Sequence, residues 1–139
     1  MKVRLKHSEN LHFIGSIRDF NDIHIDEPES FHGKNLGPSP IEYFLIGIGG
    51  CISSTYMYCL QKNKVEIEKL EVIVDGQLKH TGLKLNLKLV NINVELLIIY
   101  KMGQSYEKID LCEKIFQEYC LLSDFITNGA PLNVKITRI

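Results

Sequence analysis

Apolar and polar positions alternate from the start of the chain: Val3 and Leu5, then Leu11, Phe13 and Ile17, with Ser8-Glu9-Asn10 between them. This pattern predicts two strands, over residues 1–6 and 11–17, joined by a turn near Ser8–Asn10. Phe20, Ile23 and Ile25 predict a third short strand. From Asp26 to Pro38 the pattern lapses into polar residues with two prolines and two glycines, which predicts a loop. Ser39 then marks a helix start. Its hydroxyl can cap the helix, Pro40 suits the first turn, and Glu42 falls three residues after the cap to complete a capping box. The helix is expected to run through Tyr58 or Gln61 and to end near Lys62-Asn63-Lys64.

Beyond that helix, Leu70 to Asp75 reads as a strand, and Leu83, Leu85, Leu87 and Leu89 form a strict period-two face opposite Lys84, Asn86, Lys88 and Val90. Asn91 to Tyr100 follows as a more fully apolar strand, stopped by Lys101-Met102-Gly103. Ile109, Cys112, Ile115, Phe116 and Tyr119 recur at steps of three and four, the mark of a second, amphipathic helix. Ser123 is expected to open a last short helix that Gly129 and Pro131 end, and Leu132, Val134 and Ile136 alternate as a closing strand. Helices gathered between runs of strands predict an α+β sheet-and-helix sandwich rather than a parallel βαβ fold.

At 139 residues, with neither repeat nor low-complexity tract, the chain is expected to form a single domain over 1–139. Its 45% apolar and 24% charged content is that of a globular domain. Sixteen Lys and Arg against seventeen Asp and Glu give a net charge of −1, which argues against a nucleic-acid binder and against a polybasic membrane-surface protein. Phe44 to Leu60 carries no charge, yet it spans only seventeen residues and includes Gly47, Gly49, Gly50, Ser53, Ser54 and Thr55. It reads as a buried core helix rather than a membrane span. MKVRLKHSENLHFIGS lacks the apolar run of a secretory signal, so the expected compartment is the cytoplasm, where thiols stay free unless catalytic or redox-sensing.

Four cysteines stand at 51, 59, 112 and 120, with no C-x-x-C pair among them. A zinc knuckle is therefore not expected, nor any other metal or cofactor. Cys51 follows three glycines within four positions. Each interior glycine costs a helix about 1 kcal/mol against alanine, so either another backbone packs closely there or a ligand approaches Cys51. The thiol itself reads equally as a small buried hydrophobe. Cys120 lies at the junction before the last helix, where a helix N-terminus favours thiolate. Cys59 and Cys112 fall inside helical stretches and read as packing residues. His24 and His32, near Asp26, Glu27 and Glu29, lack recognised ligand spacing and read as part of a solvated acidic loop. Ser53, Ser54 and Thr55 have no nucleophile elbow around them and are expected to bond to the preceding turn of their own helix.

The run Gly37-Pro38-Ser39-Pro40-Ile41-Glu42-Tyr43-Phe44-Leu45, leading to Gly49-Gly50-Cys51, resembles the first signature of the OsmC/Ohr family; Cys120-Leu121-Leu122-Ser123 resembles the second. The element order is similar along essentially the whole chain. The resemblance implies an OsmC-like sandwich with a long buried central helix, assembled as an intertwined homodimer with active sites at the subunit interface. It also implies thiol peroxidase chemistry on organic hydroperoxides: Cys51 as the peroxidatic thiol, Cys120 as the resolving thiol that forms a disulfide with it, and an external thiol as reductant. Glu42 takes the place of the family's orienting acid, shifted by one residue because Ile41 follows Pro40, as in a divergent branch of the family. The family's peroxidases also use an N-terminal arginine. This chain has only Arg4, Arg18 and Arg138, and Arg18 is the candidate, though it does not fall at the expected distances from Cys51. Leu121 stands where a proline usually follows the second cysteine. A rival reading from another class is a non-catalytic relative that holds a thiol-containing or hydrophobic small molecule in the dimer-interface pocket near Cys51.

Overall fold

A computed structural model describes residues 1–129 and 131–137, apart from the side chains of Ile115 and Gln117. It is an α+β structure with two antiparallel sheets. The chain divides into two compact units, Met1–Gly47 and Ile48–Ile139.

In the first unit, β1 (Arg4–Glu9), β2 (His12–Ile17) and β3 (Phe20–Ile25) form a three-stranded sheet in that order. The turns are tight: Asn10 and Arg18 adopt positive φ, at 47° and 53°. After β3, Asp26 is 1% exposed rather than solvated, which corrects the expectation of an open acidic loop. Its carboxylate accepts the amides of Glu27, Lys34 and Leu36 at 2.9, 3.0 and 3.1 Å, so it organises the segment that leads to the long helix. That satisfaction is what permits a carboxylate to be buried there.

The long helix α1 (Pro40–Lys62) starts in the first unit and continues through the second. Its start is a formed capping box: the Ser39 amide donates to Glu42 Oε2 at 2.6 Å, and the Glu42 amide donates to Ser39 Oγ at 3.3 Å.

In the second unit, β4 (Ile67–Thr81) and β5 (Asn86–Tyr100) are a long hairpin paired from Ile67↔Tyr100 to Thr81↔Asn86. Alternate residues are half-buried, Leu70, Val72 and Val74 on β4 and Ile92, Val94, Leu96 and Ile98 on β5, as a sheet with one covered face requires. The strand expected over Leu83–Leu89 is corrected. Residues 82–85 are the hairpin turn, with Gly82 and Leu85 at φ of 73° and 49°, and β5 runs unbroken from Asn86.

Helix α2 (Tyr106–Tyr119) and helix α3 (Leu121–Asn128) follow. Cys120, not Ser123, is the residue at the N-cap of α3, while Gly129 at φ 73° ends it. Tyr56 and Leu60 of α1, Val65, and Ile109 and Cys112 of α2 make the core of this unit, with Ile67, Leu96, Ile98 and Tyr100 of the hairpin packed against it. The Tyr56 hydroxyl, buried there, meets the Tyr100 hydroxyl at 2.7 Å. Gly49 is explained by close packing, since a Cβ at that position would lie 2.8 Å from Val74 Cγ2; Gly47 and Gly50 meet nothing within 4 Å. The closing strand is also corrected: Leu132, Val134 and Ile136 lie outside any strand, at 87%, 78% and 88% exposure. An alternating sequence becomes a strand only where a neighbour accepts its hydrogen bonds.

Candidate functional site

The residues that could carry chemistry gather in the second unit, where α1 and α2 run antiparallel. Cys51 lies on α1 and is half-buried; Cys120, 1% exposed, is both the C-cap of α2 and the N-cap of α3. Their sulfurs are 3.6 Å apart, in contact but unbonded. Burial acts to raise the Cys120 thiol. The Ser123 hydroxyl and amide, the Cys51 thiol and the Leu122 amide all stabilise its thiolate, and together they hold it below the ordinary thiol value. Two of those donors are amides of the first turn of α3, the orphan donors that every helix start presents. The pair therefore divides its properties. Cys51 is the less buried of the two, and Cys120 is the sulfur with stabilised negative charge.

The other residues singled out in the sequence are engaged elsewhere. Glu42 closes the capping box, and the hydrogen bonds from the Ser39 amide and hydroxyl keep its carboxyl below the usual carboxylate range. Arg18 occupies the turn between β2 and β3 with its guanidinium over the Phe20 ring, 5.2 Å from the centroid. Arg138 lies outside the described residues. Ser53, Ser54 and Thr55 donate their hydroxyls to the carbonyls of Gly49, Gly50 and Cys51 at 2.7, 2.6 and 2.8 Å, so these groups are occupied as part of the helix. His24 Nδ1 faces His12 Nε2 at 2.9 Å, and His32 sits in the left-handed region at the end of a 3₁₀ turn. Among the described residues, no three His, Cys, Asp or Glu side chains are grouped as a metal site.

Because Glu42 serves the helix start, Glu42→Gln keeps most of the cap and loses only its charge. Removing an exposed charge near a helix N-terminus should cost about 0.5 kcal/mol at neutral pH. A carboxyl held low in the folded state stabilises fully above its unfolded value, and that contribution fades as pH falls through the folded one. The variant should match wild type at strongly acidic pH and fall slightly below it near pH 7. Thermal melts across that range check this; equal stability of the two proteins near pH 7 would contradict it.

Cys59 and Cys112 are joined as a disulfide, with Cα atoms 5.6 Å apart, which corrects the reading of both as packing residues. The signal was present in the spacing: eight residues separate Cys51 from Cys59, and eight separate Cys112 from Cys120. Two antiparallel segments that bring together one pair at that spacing bring together the other. Beside Cys59 opens a pocket of about 640 Å³ lined in part by Tyr58, Lys62, Asn63, Phe116 and Tyr119.

Comparisons with known proteins agree with this architecture. A family model described as OsmC-like protein matches residues 32–135. An OsmC-like protein from Mycoplasma pneumoniae superposes with a TM-score of 0.74 at 19% identity, covering 98% of this chain and 94% of that one. An organic hydroperoxide resistance protein OsmC from Legionella pneumophila gives 0.67 at 17% identity, covering 92% and 89%. The organic hydroperoxide resistance protein OhrB of Bacillus subtilis gives 0.60 at 20% identity, covering 92% and 90%. No curated protein matches the sequence.

Proposed function

This chain belongs to the OsmC-like protein family, and on that footing we propose that it is a cysteine-dependent thiol peroxidase that reduces organic hydroperoxides. The observation that carries the reading is the Cys51–Cys120 contact at 3.6 Å, with one residue half-buried and the other buried among thiolate-stabilising donors. Solved relatives of this fold include two proteins named for organic hydroperoxide resistance. The Cys120 thiolate takes the proton of the Cys51 thiol across that contact. The Cys51 thiolate then attacks the distal oxygen of the hydroperoxide, the O–O bond breaks, and the alkoxide leaves as alcohol with that proton, leaving Cys51 as a sulfenic acid. Cys120, again as thiolate, attacks the Cys51 sulfur and expels hydroxide, which is protonated to water, and a disulfide forms. Two equivalents of an external thiol return the pair to the reduced state.

The working unit under this proposal is a single OsmC-like domain over residues 1–139, cytoplasmic, needing neither metal nor cofactor, and paired as an intertwined homodimer. Only 28% of the most apolar window of α1 is buried within the chain, and Ile46 on it is 61% exposed. A second copy would cover such a helix. Sedimentation at micromolar concentration should give about twice the chain mass; a stable monomer would remove the dimer from the proposal.

The activity is tested by steady-state consumption of cumene hydroperoxide with a dithiol reductant. Turnover supports the peroxidase. No turnover, with a small molecule co-purifying beside Cys51, would transfer the site to a binding function.

A further inference from the structure

We propose that Cys59 and Cys112 form a second thiol–disulfide exchange site, in which a small thiol with an apolar ring and an acidic group attacks Cys59. The two cysteine pairs are separate centres. The eight-residue step from Cys51 to Cys59 amounts to about 12 Å along α1, far beyond the contact that sulfur exchange requires. Any exchange at the second pair therefore takes a partner of its own.

The surroundings of that bond are asymmetric. Cys112 is 0% exposed and belongs to the core, whereas Cys59 is half-buried and lines the pocket. An incoming thiol can approach only the Cys59 sulfur. Asn63, one turn after Cys59 on the chain, points its Nδ2 at both sulfurs, 3.5 Å from each, while also donating to the Cys59 carbonyl at 2.9 Å. An amide donor placed on both sulfurs is positioned to receive the charge that develops on the departing one. The pocket gives the class of thiol: the rings of Tyr58, Phe116 and Tyr119 offer apolar faces, and Lys62 at the rim offers a cation.

The exchange balances within that class. The thiolate RS⁻ attacks Cys59 Sγ, the Cys59–Cys112 bond breaks, and its electron pair leaves with Cys112 as a thiolate hydrogen-bonded by Asn63. The product is a mixed disulfide between Cys59 and R. A second thiolate of the same kind attacks the R sulfur, releases the disulfide RSSR and leaves Cys59 as thiolate; both cysteines then take up protons. Two thiols have lost the two electrons that the protein disulfide gained. The same disulfide RSSR, run backwards, reoxidises the pair.

The experiment uses the oxidised full chain carrying Cys51→Ser and Cys120→Ser, so that only the second pair exchanges. The probes are 4-mercaptobenzoate, with a ring and a carboxylate, and cysteamine, with neither. Each rate is divided by that probe's rate with a small disulfide in solution. After acid quench, peptide mapping should place the adduct on Cys59 and not on Cys112, and the normalised rate should favour 4-mercaptobenzoate by about tenfold. Asn63→Ala should slow both probes severalfold. Lys62→Ala changes an exposed residue at the helix end; it should slow 4-mercaptobenzoate and not slow cysteamine, whose ammonium the lysine repels. The same mapping on wild type guards against misfolding of the serine variants. Adducts on Cys112, equal normalised rates, or a bond that exchanges only after urea unfolds the chain would overturn the proposal.

Discussion

Cys51→Ser will consume organic hydroperoxide at least about a thousandfold more slowly than wild type, because a serine hydroxyl cannot replace the thiolate that attacks oxygen. Cys120→Ser behaves differently. It should complete one turnover and stop, leaving Cys51 as a sulfenic acid or as a more oxidised species, since the sulfur 3.6 Å away that would resolve it is gone. Loss of the lowered Cys120 thiol also removes the base beside Cys51, so the first turnover should itself be slower than in wild type. Hydroperoxide depletion followed alongside the intact mass of each variant distinguishes the two. Wild-type rates in Cys51→Ser would assign the chemistry to another residue.

The other large effect is on stability. The Cys59–Cys112 bond closes a loop across 53 residues of sequence, and a cross-link of that span is worth about 4 kcal/mol by restriction of the unfolded chain. Its removal also alters the core, where Cys112 is clustered with Tyr56, Leu60, Val65 and Ile109. With a urea slope of about 2 kcal/mol per molar, oxidised protein should unfold about 2 M later than protein treated with dithiothreitol. Cys112→Ala should resemble the reduced form and no longer respond to reductant. Coincident midpoints for oxidised and reduced wild type would mean that the bond contributes nothing to the fold in solution.

The elements closest to the site were legible because their signals are local. The capping box at Ser39 and Glu42 fixes where α1 starts, the three- and four-residue steps from Ile109 to Tyr119 fix α2, and Gly129 ends α3. Signals that depend on a partner were not. Alternation at Leu83, Leu85 and Leu87 looks the same in a turn as in a strand, and positive φ at Gly82 and Leu85 decided for the turn. Leu132, Val134 and Ile136 alternate without any strand beside them. Asp26 reads in sequence as one more polar loop residue, because nothing around it reveals that three amides converge on it.

The cysteines show the same division. Cys51 and Cys120 stand out through their neighbours in sequence, three glycines on one side and a helix start on the other. Cys59 has no such neighbours, and its bond to Cys112 exists only because α1 and α2 run in opposite directions. The equal spacing of eight residues encodes that bond, but only once one pair is known to meet. Sequence neighbours and the family resemblance therefore point to one pair of cysteines, while helix direction reveals that there are two.

Peptide mapping of wild type before and after one equivalent of cumene hydroperoxide tests the central claim most directly. The account predicts a new Cys51–Cys120 linkage formed together with one equivalent of the alcohol, and a Cys59–Cys112 linkage unchanged by the treatment. Cys51 still reduced after excess hydroperoxide, with no linkage to Cys120, would contradict it.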